Sequence, residues 1–168
     1  MRQIHLLCIF LIVSFSGFTQ EPEKVVGIRG GISSGFEYRV FSGELNSYKA
    51  LLSFRRQGLQ LTGLKEFHRP DAFDFCEELS FVYGFGAHAG FETWHRYNYY
   101  DDQDLHTMSR ENRTGPIVGL DALAAVEYAI PQVPLVAGIE AKPYFNLFGK
   151  NIFQLQPFDF AFTLKYTF

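Results

Sequence analysis

The sequence predicts an all-β chain, an antiparallel up-and-down transmembrane β-barrel of eight strands, and three observations predict it. The last eleven residues alternate, with Phe158, Phe160, Phe162, Leu164, Tyr166 and Phe168 set against Asp159, Ala161, Thr163, Lys165 and Thr167. With 47% of the chain apolar, six apolar residues in register arise by chance about 1% of the time. Aromatic residues make up 17% of the chain, yet mean hydropathy is only −0.03. Those two values coexist when lipid-facing and lumen-facing side chains alternate and cancel in the average. After residue 24 there is no uncharged apolar run of about 18 residues, the length a membrane-spanning helix needs. The best stretch, Ile117 to Ile130, contains Asp121 and Glu127.

Residues 1–20 read as a secretory signal peptide and 21–168 as the barrel domain. A charged start, Met1-Arg2-Gln3, precedes an apolar run from Ile4 to Phe15 broken by His5 and Ser14, and then Ser16-Gly17-Phe18-Thr19-Gln20. An apolar core of about 7–15 residues followed by small ones is a cleavable signal, too short to span as a helix. Gly17 and Thr19 take the small positions for cleavage before Gln20. Cys8 lies inside the apolar run with no small residue before it, which argues against a lipid anchor. Its removal leaves Cys76 as the one thiol, excluding a disulfide framework and a zinc-cysteine site.

Seven further strands follow from period two. In the first, Val26, Ile28 and Ile32 oppose Arg29. In the second, Phe36, Tyr38 and Val40 oppose Glu37 and Arg39. In the third, Tyr48, Ala50, Leu52 and Phe54 oppose Lys49, Ser53 and Arg55. Gln57-Gly58 is expected to turn the chain into a fourth strand, where Leu59, Leu61 and Phe67 oppose Gln60, Thr62, Glu66 and His68, and Lys65 interrupts the apolar face. The fifth sets Phe81, Tyr83, Phe85, Ala87, Ala89 and Phe91 against Gly84, Gly86, His88, Gly90 and Glu92. The sixth sets Val118, Leu120, Ala122, Ala124, Val126 and Tyr128 against Asp121 and Glu127. The seventh, after Pro131-Gln132-Val133-Pro134, sets Ile139, Ala141 and Phe145 against Glu140, Lys142 and Asn146. Eight strands put both ends on one side, so connections near 42–47, 70–78 and 130–133 are periplasmic, and those near 34–35, 57–58, 93–114 and 149–155 external. Pro143 predicts a bulge, because a closed barrel has no edge to excuse its missing N–H. The 70–78 stretch predicts a short helix capped by Asp71.

At this point the chain resembles the small OmpX- and OmpA-like outer-membrane barrels of Gram-negative bacteria. The specific part is Phe168 with Tyr166, Leu164, Phe162 and Phe160 at alternate positions before it. In that family such an end is the signal that the outer-membrane assembly machinery reads. The stretch Gly119-Leu120-Asp121, Glu127-Tyr128, Pro134 and Lys142-Pro143 is also similar to a pattern in small barrels with no assigned activity. The resemblance implies residence in the outer membrane as a monomer and contact with outer-membrane lipid and lipopolysaccharide; OmpA's additional periplasmic domain is not expected here.

The inward faces collect Arg29, Arg39, Lys49, Arg55, Lys142 and Lys165 against Glu37, Glu66, Glu92, Asp121, Glu127 and Glu140, with His88 among them. An eight-stranded barrel is just wide enough for side chains to fill it, so these charges are expected to pair into a plug rather than line a pore. Gly84, Gly86 and Gly90 fail the spacing of a nucleotide loop and are expected to make room for large neighbours. The histidines lack metal-ligand spacing, and no cofactor is expected. The formal charge of −3 and the lack of a basic stripe argue against nucleic acid. An external loop from Thr93 to Thr114, carrying Trp94, Tyr97, Tyr99, Tyr100, Asp101, Asp102 and Asp104, is the expected contact surface. The reading is a non-enzymatic protein of envelope integrity or surface contact. Its alternatives are a lipid A-modifying enzyme, a narrow channel, or a soluble periplasmic ligand-binding barrel.

Overall fold

A computed structural model describes residues 24–55, 58–102, 105–149 and 153–168. Ten strand segments are present: β1 (Lys24–Gly31), β2 (Ser34–Phe41), β3 (Asn46–Arg55), β4 (Gly58–Arg69), β5 (Leu79–Asp102), β6 (Leu105–Ala129), β7 (Leu135–Ala141), β8 (Tyr144–Phe148), β9 (Gln154–Gln156) and β10 (Phe160–Thr167). β8 continues β7 past Pro143, and β10 continues β9, so the ten segments form eight staves. Each stave pairs antiparallel with its neighbours, and the ring closes where β1 meets β10 and β5 meets β6. The fold is a closed, antiparallel, eight-stranded barrel, and the signal-peptide reading lies outside the described residues.

Alternation decides which face each side chain takes. On β10 Phe160, Phe162 and Leu164 point out at 50%, 72% and 44% exposure, while Ala161, Thr163 and Lys165 are buried. Most staves repeat the pattern, so the barrel is apolar without and largely polar within, where Leu51, Leu64, Val82, Ile117 and Leu123 are large apolar exceptions. Two aromatic belts ring the outside. Tyr38, Tyr48, Tyr83 and Tyr128 lie toward the end holding Lys24 and Phe168, and Phe36, Phe54, Phe91, Phe158 and Phe160 toward the other. On β5 the belts stand eight residues apart, from Tyr83 to Phe91, which is about 26 Å along the strand. A stave tilted by about 40° brings that to roughly 20 Å of height, close to the apolar band of such barrels.

Several local expectations are corrected. The first turn is Ile32-Ser33, not 34–35, since Arg29 pairs with Gly35. Gly58, expected in the Gln57-Gly58 turn, is already strand and pairs with Arg55, while 56–57 lie outside the described residues. Over 70–78 the chain makes a single 3-10 turn, Pro70–Ala72, whose N-cap is Arg69 with no side-chain capping bond. Proline opens that turn because its missing N–H has no partner there in any case.

Pro143 carries no bulge. Ala124 pairs with Ala141 and Asp121 with Tyr144, so both strands take the same three-residue step past it. The Ala122 N–H donates to the Pro143 carbonyl at 2.9 Å, and proline, having no N–H, returns no bond. The ladder with β6 loses one bond and keeps its register. Two irregularities remain, the second of them on the strand facing the other side of Pro143. One is at Leu147, between the Gly119–Asn146 and Val118–Phe148 pairs. Another is at Pro157-Phe158-Asp159, where four steps from Gln156 to Phe160 face three on the partner strand.

Gly84, Gly86 and Gly90 face inward on β5, and what they admit is backbone rather than large side chains. A Cβ at each would collide with a β4 carbonyl, that of Lys65, Gly63 and Leu59 respectively. The three glycines let β5 fold tightly against β4, the sharp coiling that closes a small barrel.

The expected loop at 93–114 is instead a β-ribbon. β5 and β6 stay paired from Leu79–Tyr128 to Asp102–Leu105. Their barrel neighbours stop sooner, β4 at Gly58–Glu92 and β8 at Val118–Phe148. Beyond Glu92 the two strands continue alone for ten rungs, from Thr93–Thr114 to Asp102–Leu105, about 33 Å of strand.

Candidate functional site

The lumen is where the chain spends its charge. Arg29 enters from β1, Glu37 and Arg39 from β2, Lys49 from β3 and Glu66 from β4. His88 comes from β5, Asp121 and Glu127 from β6, Glu140 and Lys142 from β7 and the residue after it, and Lys165 from β10. All eleven are buried, with Lys49, Lys142 and Lys165 no more than 2% exposed. Buried ions persist when each finds an opposite charge and its hydrogen bonds.

Toward the end holding Lys24 and Phe168, Arg39 reaches Glu127 and Glu66, each at 2.7 Å. Lys165 reaches Glu127 at 2.5 Å and Glu37 at 3.2 Å. At mid-height Lys49 joins three carboxylates, Glu140 at 2.6 Å and Glu37 and Glu66 at 3.2 Å. Nearer the ribbon, Arg29 bridges Glu140 at 3.0 Å and Asp159 at 3.3 Å and also donates to Ser33. Lys142 binds Asp121 at 2.7 Å, and Asp121 holds the His88 ring at 2.7 Å, whose other nitrogen meets Asn146 at 2.9 Å. Lys142 also stands 4.0 Å from Asp159, so every link shares a residue with the next and one ion-pair network crosses the lumen, tying together staves distant in sequence.

Arg55 and Glu92 stand at the rim, less buried than the rest. The Arg55 guanidinium lies 3.9 Å from the Tyr144 ring centre and 3.5 Å from Asp159. With Gln60 and Ile117 they line a cavity of about 40 Å³, room for roughly two or three waters.

Sequence reading did not assign several members. Asp159 pairs with Arg29 and Arg55 although it precedes β10; its parity with Lys165 was the available signal. Ser47 on β3 meets Glu66 and His68, both on β4, with Ser47 Oγ 2.8 Å from His68 Nε2 and 2.9 Å from Glu66 Oε2. The constellation has the composition of a nucleophile triad but not its wiring. A serine has one proton, and an ionised carboxylate only accepts. Ser47 therefore donates to Glu66 and accepts from His68, whereas a triad needs the histidine to accept from the serine. Ser47 is also wholly buried.

Outside the lumen, Phe160, Phe162, Leu164 and Phe168 are exposed and Tyr166 half-buried, and the Phe168 N–H donates to the Lys24 carbonyl at 3.0 Å. Trp94 lies over Gly115, where a Cβ would meet its ring at 2.6 Å. Tyr97, Tyr99, Tyr100, Asp101 and Asp102 lie on the ribbon by their backbone, but their side chains, like all of Asp104, fall outside what is described. In the 70–78 connection the Cys76 thiol donates to Glu78 at 3.2 Å, which holds that carboxyl below its ordinary range.

No family model and no curated protein matches the chain. Among solved structures the barrel is similar to the N-terminal β-barrel domain of Pseudomonas aeruginosa OprF, with a TM-score of 0.52 and 11% identity over 89% of this chain and 100% of that one, a likeness that shows the fold.

Proposed function

We propose that the protein is a non-enzymatic, integral outer-membrane barrel of the OmpX/OmpA kind. Its lumen is a structural plug, and its outward work is contact made through the β5–β6 ribbon. The apolar exterior supports the membrane. Ile28, Leu61, Leu120, Ile139 and Phe162 are all more than half exposed, on a surface far larger than the apolar patches soluble proteins tolerate. Lipid is the solvent that suits such a surface, and a closed ring of strands satisfies every backbone group within it. The orientation then places Lys24 and Phe168 at the periplasmic side and the ribbon outside the cell. The alternating aromatic end at Phe168 suits recognition by the assembly machinery.

The observation that carries the contact role is the ribbon's ten rungs beyond the barrel wall. Beyond Glu92 no third strand among the described residues pairs with either outer edge of the ribbon, and a strand edge is the template on which an extended partner segment adds. Deleting residues 95–112 is expected to leave a folded barrel and abolish adhesion of cells to the surfaces or partners the wild type binds. A deletion that prevents assembly assigns the ribbon to folding instead.

A further inference from the structure

Lys65 is at odds with its surroundings. It faces outward from β4, whose neighbouring outward residues are Leu59, Leu61, Gly63 and Phe67. Between the strand ends it is the single charged side chain on the outer face of the described barrel. No carboxylate among the described residues pairs with it. Its ammonium leans over the Phe67 ring, 5.4 Å from the centre, toward the end holding Lys24 and Phe168. In register it sits between Tyr48 and Phe85, within the tyrosine belt.

Beside it the outer surface is hollowed. Ala50, Gly63 and Ala87 are register partners on three adjacent strands, so one row of the wall carries almost no side chain. Tyr38 and Leu120 close the ends of that row, and Tyr48 and Lys65 stand over one side. The resulting groove is about 620 Å³.

We propose that this groove is a binding site for a phospholipid of the periplasmic leaflet with a net negative headgroup. An acyl chain lies along Ala50, Gly63 and Ala87, and the phosphate meets the Lys65 ammonium at the tyrosine belt. The charge selects the occupant. A cation at headgroup depth with no carboxylate partner among the described residues is complemented by an anion on the same side of the membrane, and its flexible stem lets it reach one. A phosphatidylglycerol supplies chain and charge together, whereas a phosphatidylcholine's own cation competes with Lys65. The site rests on the membrane reading above, so the test separates the two.

The full barrel domain, refolded in detergent and first verified by its mobility change on boiling, is exposed to phosphatidylglycerol, phosphatidylcholine or inorganic phosphate and weighed by native mass spectrometry. The wild type is expected to retain one phosphatidylglycerol about tenfold more tightly than phosphatidylcholine. Lys65→Gln should erase that preference, and Ala87→Leu, which fills the groove, should weaken both lipids. Equal retention of phosphatidylglycerol by the wild type and Lys65→Gln overturns the proposal. So does inorganic phosphate binding as well as the lipid, or dimers forming in place of lipid adducts. Should Lys65→Gln fail to refold, unchanged lipid retention by Ala87→Leu overturns it equally. A barrel that shows no mobility change contradicts the membrane reading itself.

Discussion

Glu127 accepts from Arg39 and Lys165 at once, at 2.7 and 2.5 Å, and that double use makes it a sensitive point of the lumen. Removing one partner of a buried pair costs about 3–5 kcal/mol, because the charge left behind has lost both water and its counter-ion. Glu127→Ala is therefore expected to lower unfolding free energy by roughly that amount in urea titrations from lipid vesicles. Replacing Glu127 and Lys165 together by methionine should cost less than the sum of the two single changes, since neither then strands the other. Additive losses would mean that the pair contributes no coupling. Gly86 poses the opposite problem, one of space rather than charge. A Cβ there strikes the Gly63 carbonyl, whereas Gly30 has nothing within 4 Å of such an atom. Gly86→Val should abolish the folded, fast-migrating form on unboiled gels, and Gly30→Ala should leave it intact.

At the scale of elements, legibility followed the strength of the local pattern. β10 is readable from sequence because its period-two alternation is unbroken, and each side of a stave in the closed barrel has one solvent. Turns were placed less well: the first is Ile32-Ser33 rather than 34–35, and Gly58 lies in a strand, because both Gly35 and Gly58 serve pairing rather than turning. Each has a strand backbone so close that a Cβ would collide with it. Pro143 misled for a related reason. Its missing N–H predicts a disturbance, but sequence does not say whether the disturbance is an inserted residue or one lost bond. The ribbon was hidden because Thr93 to Thr114 mixes aromatic and polar residues on both parities, so no alternation marks it as strand; only its pairing does. If the ribbon acts by presenting its edges, prolines at two positions whose N–H groups point outward from the pair should reduce adhesion while barrel content by circular dichroism is unchanged. Loss of barrel content with adhesion would assign those positions to folding.

For the whole molecule, the same parity that turns apolar side chains outward gathers the ions inside, so fold and lumen network are one consequence of the sequence. What parity could not supply was connectivity. The sequence places Lys49 and Glu140 on inward faces, but only closure of the ring brings them to 2.6 Å across 91 residues. Asp159 and the Ser47–His68 contact emerged the same way, from the geometry of closure. With the lumen crossed by ion pairs and its rim cavity of about 40 Å³, planar bilayers containing the protein should stay silent at high salt. Steady single-channel steps would contradict the plug.

The central claim is that the chain closes into a barrel with its apolar face in a membrane, and migration on a gel before and after boiling tests it most directly. The barrel domain refolded in detergent should run fast unboiled and slower after boiling, because a closed, hydrogen-bonded ring resists detergent until heated. Identical mobility, together with full solubility of the protein in detergent-free buffer, would contradict the membrane barrel.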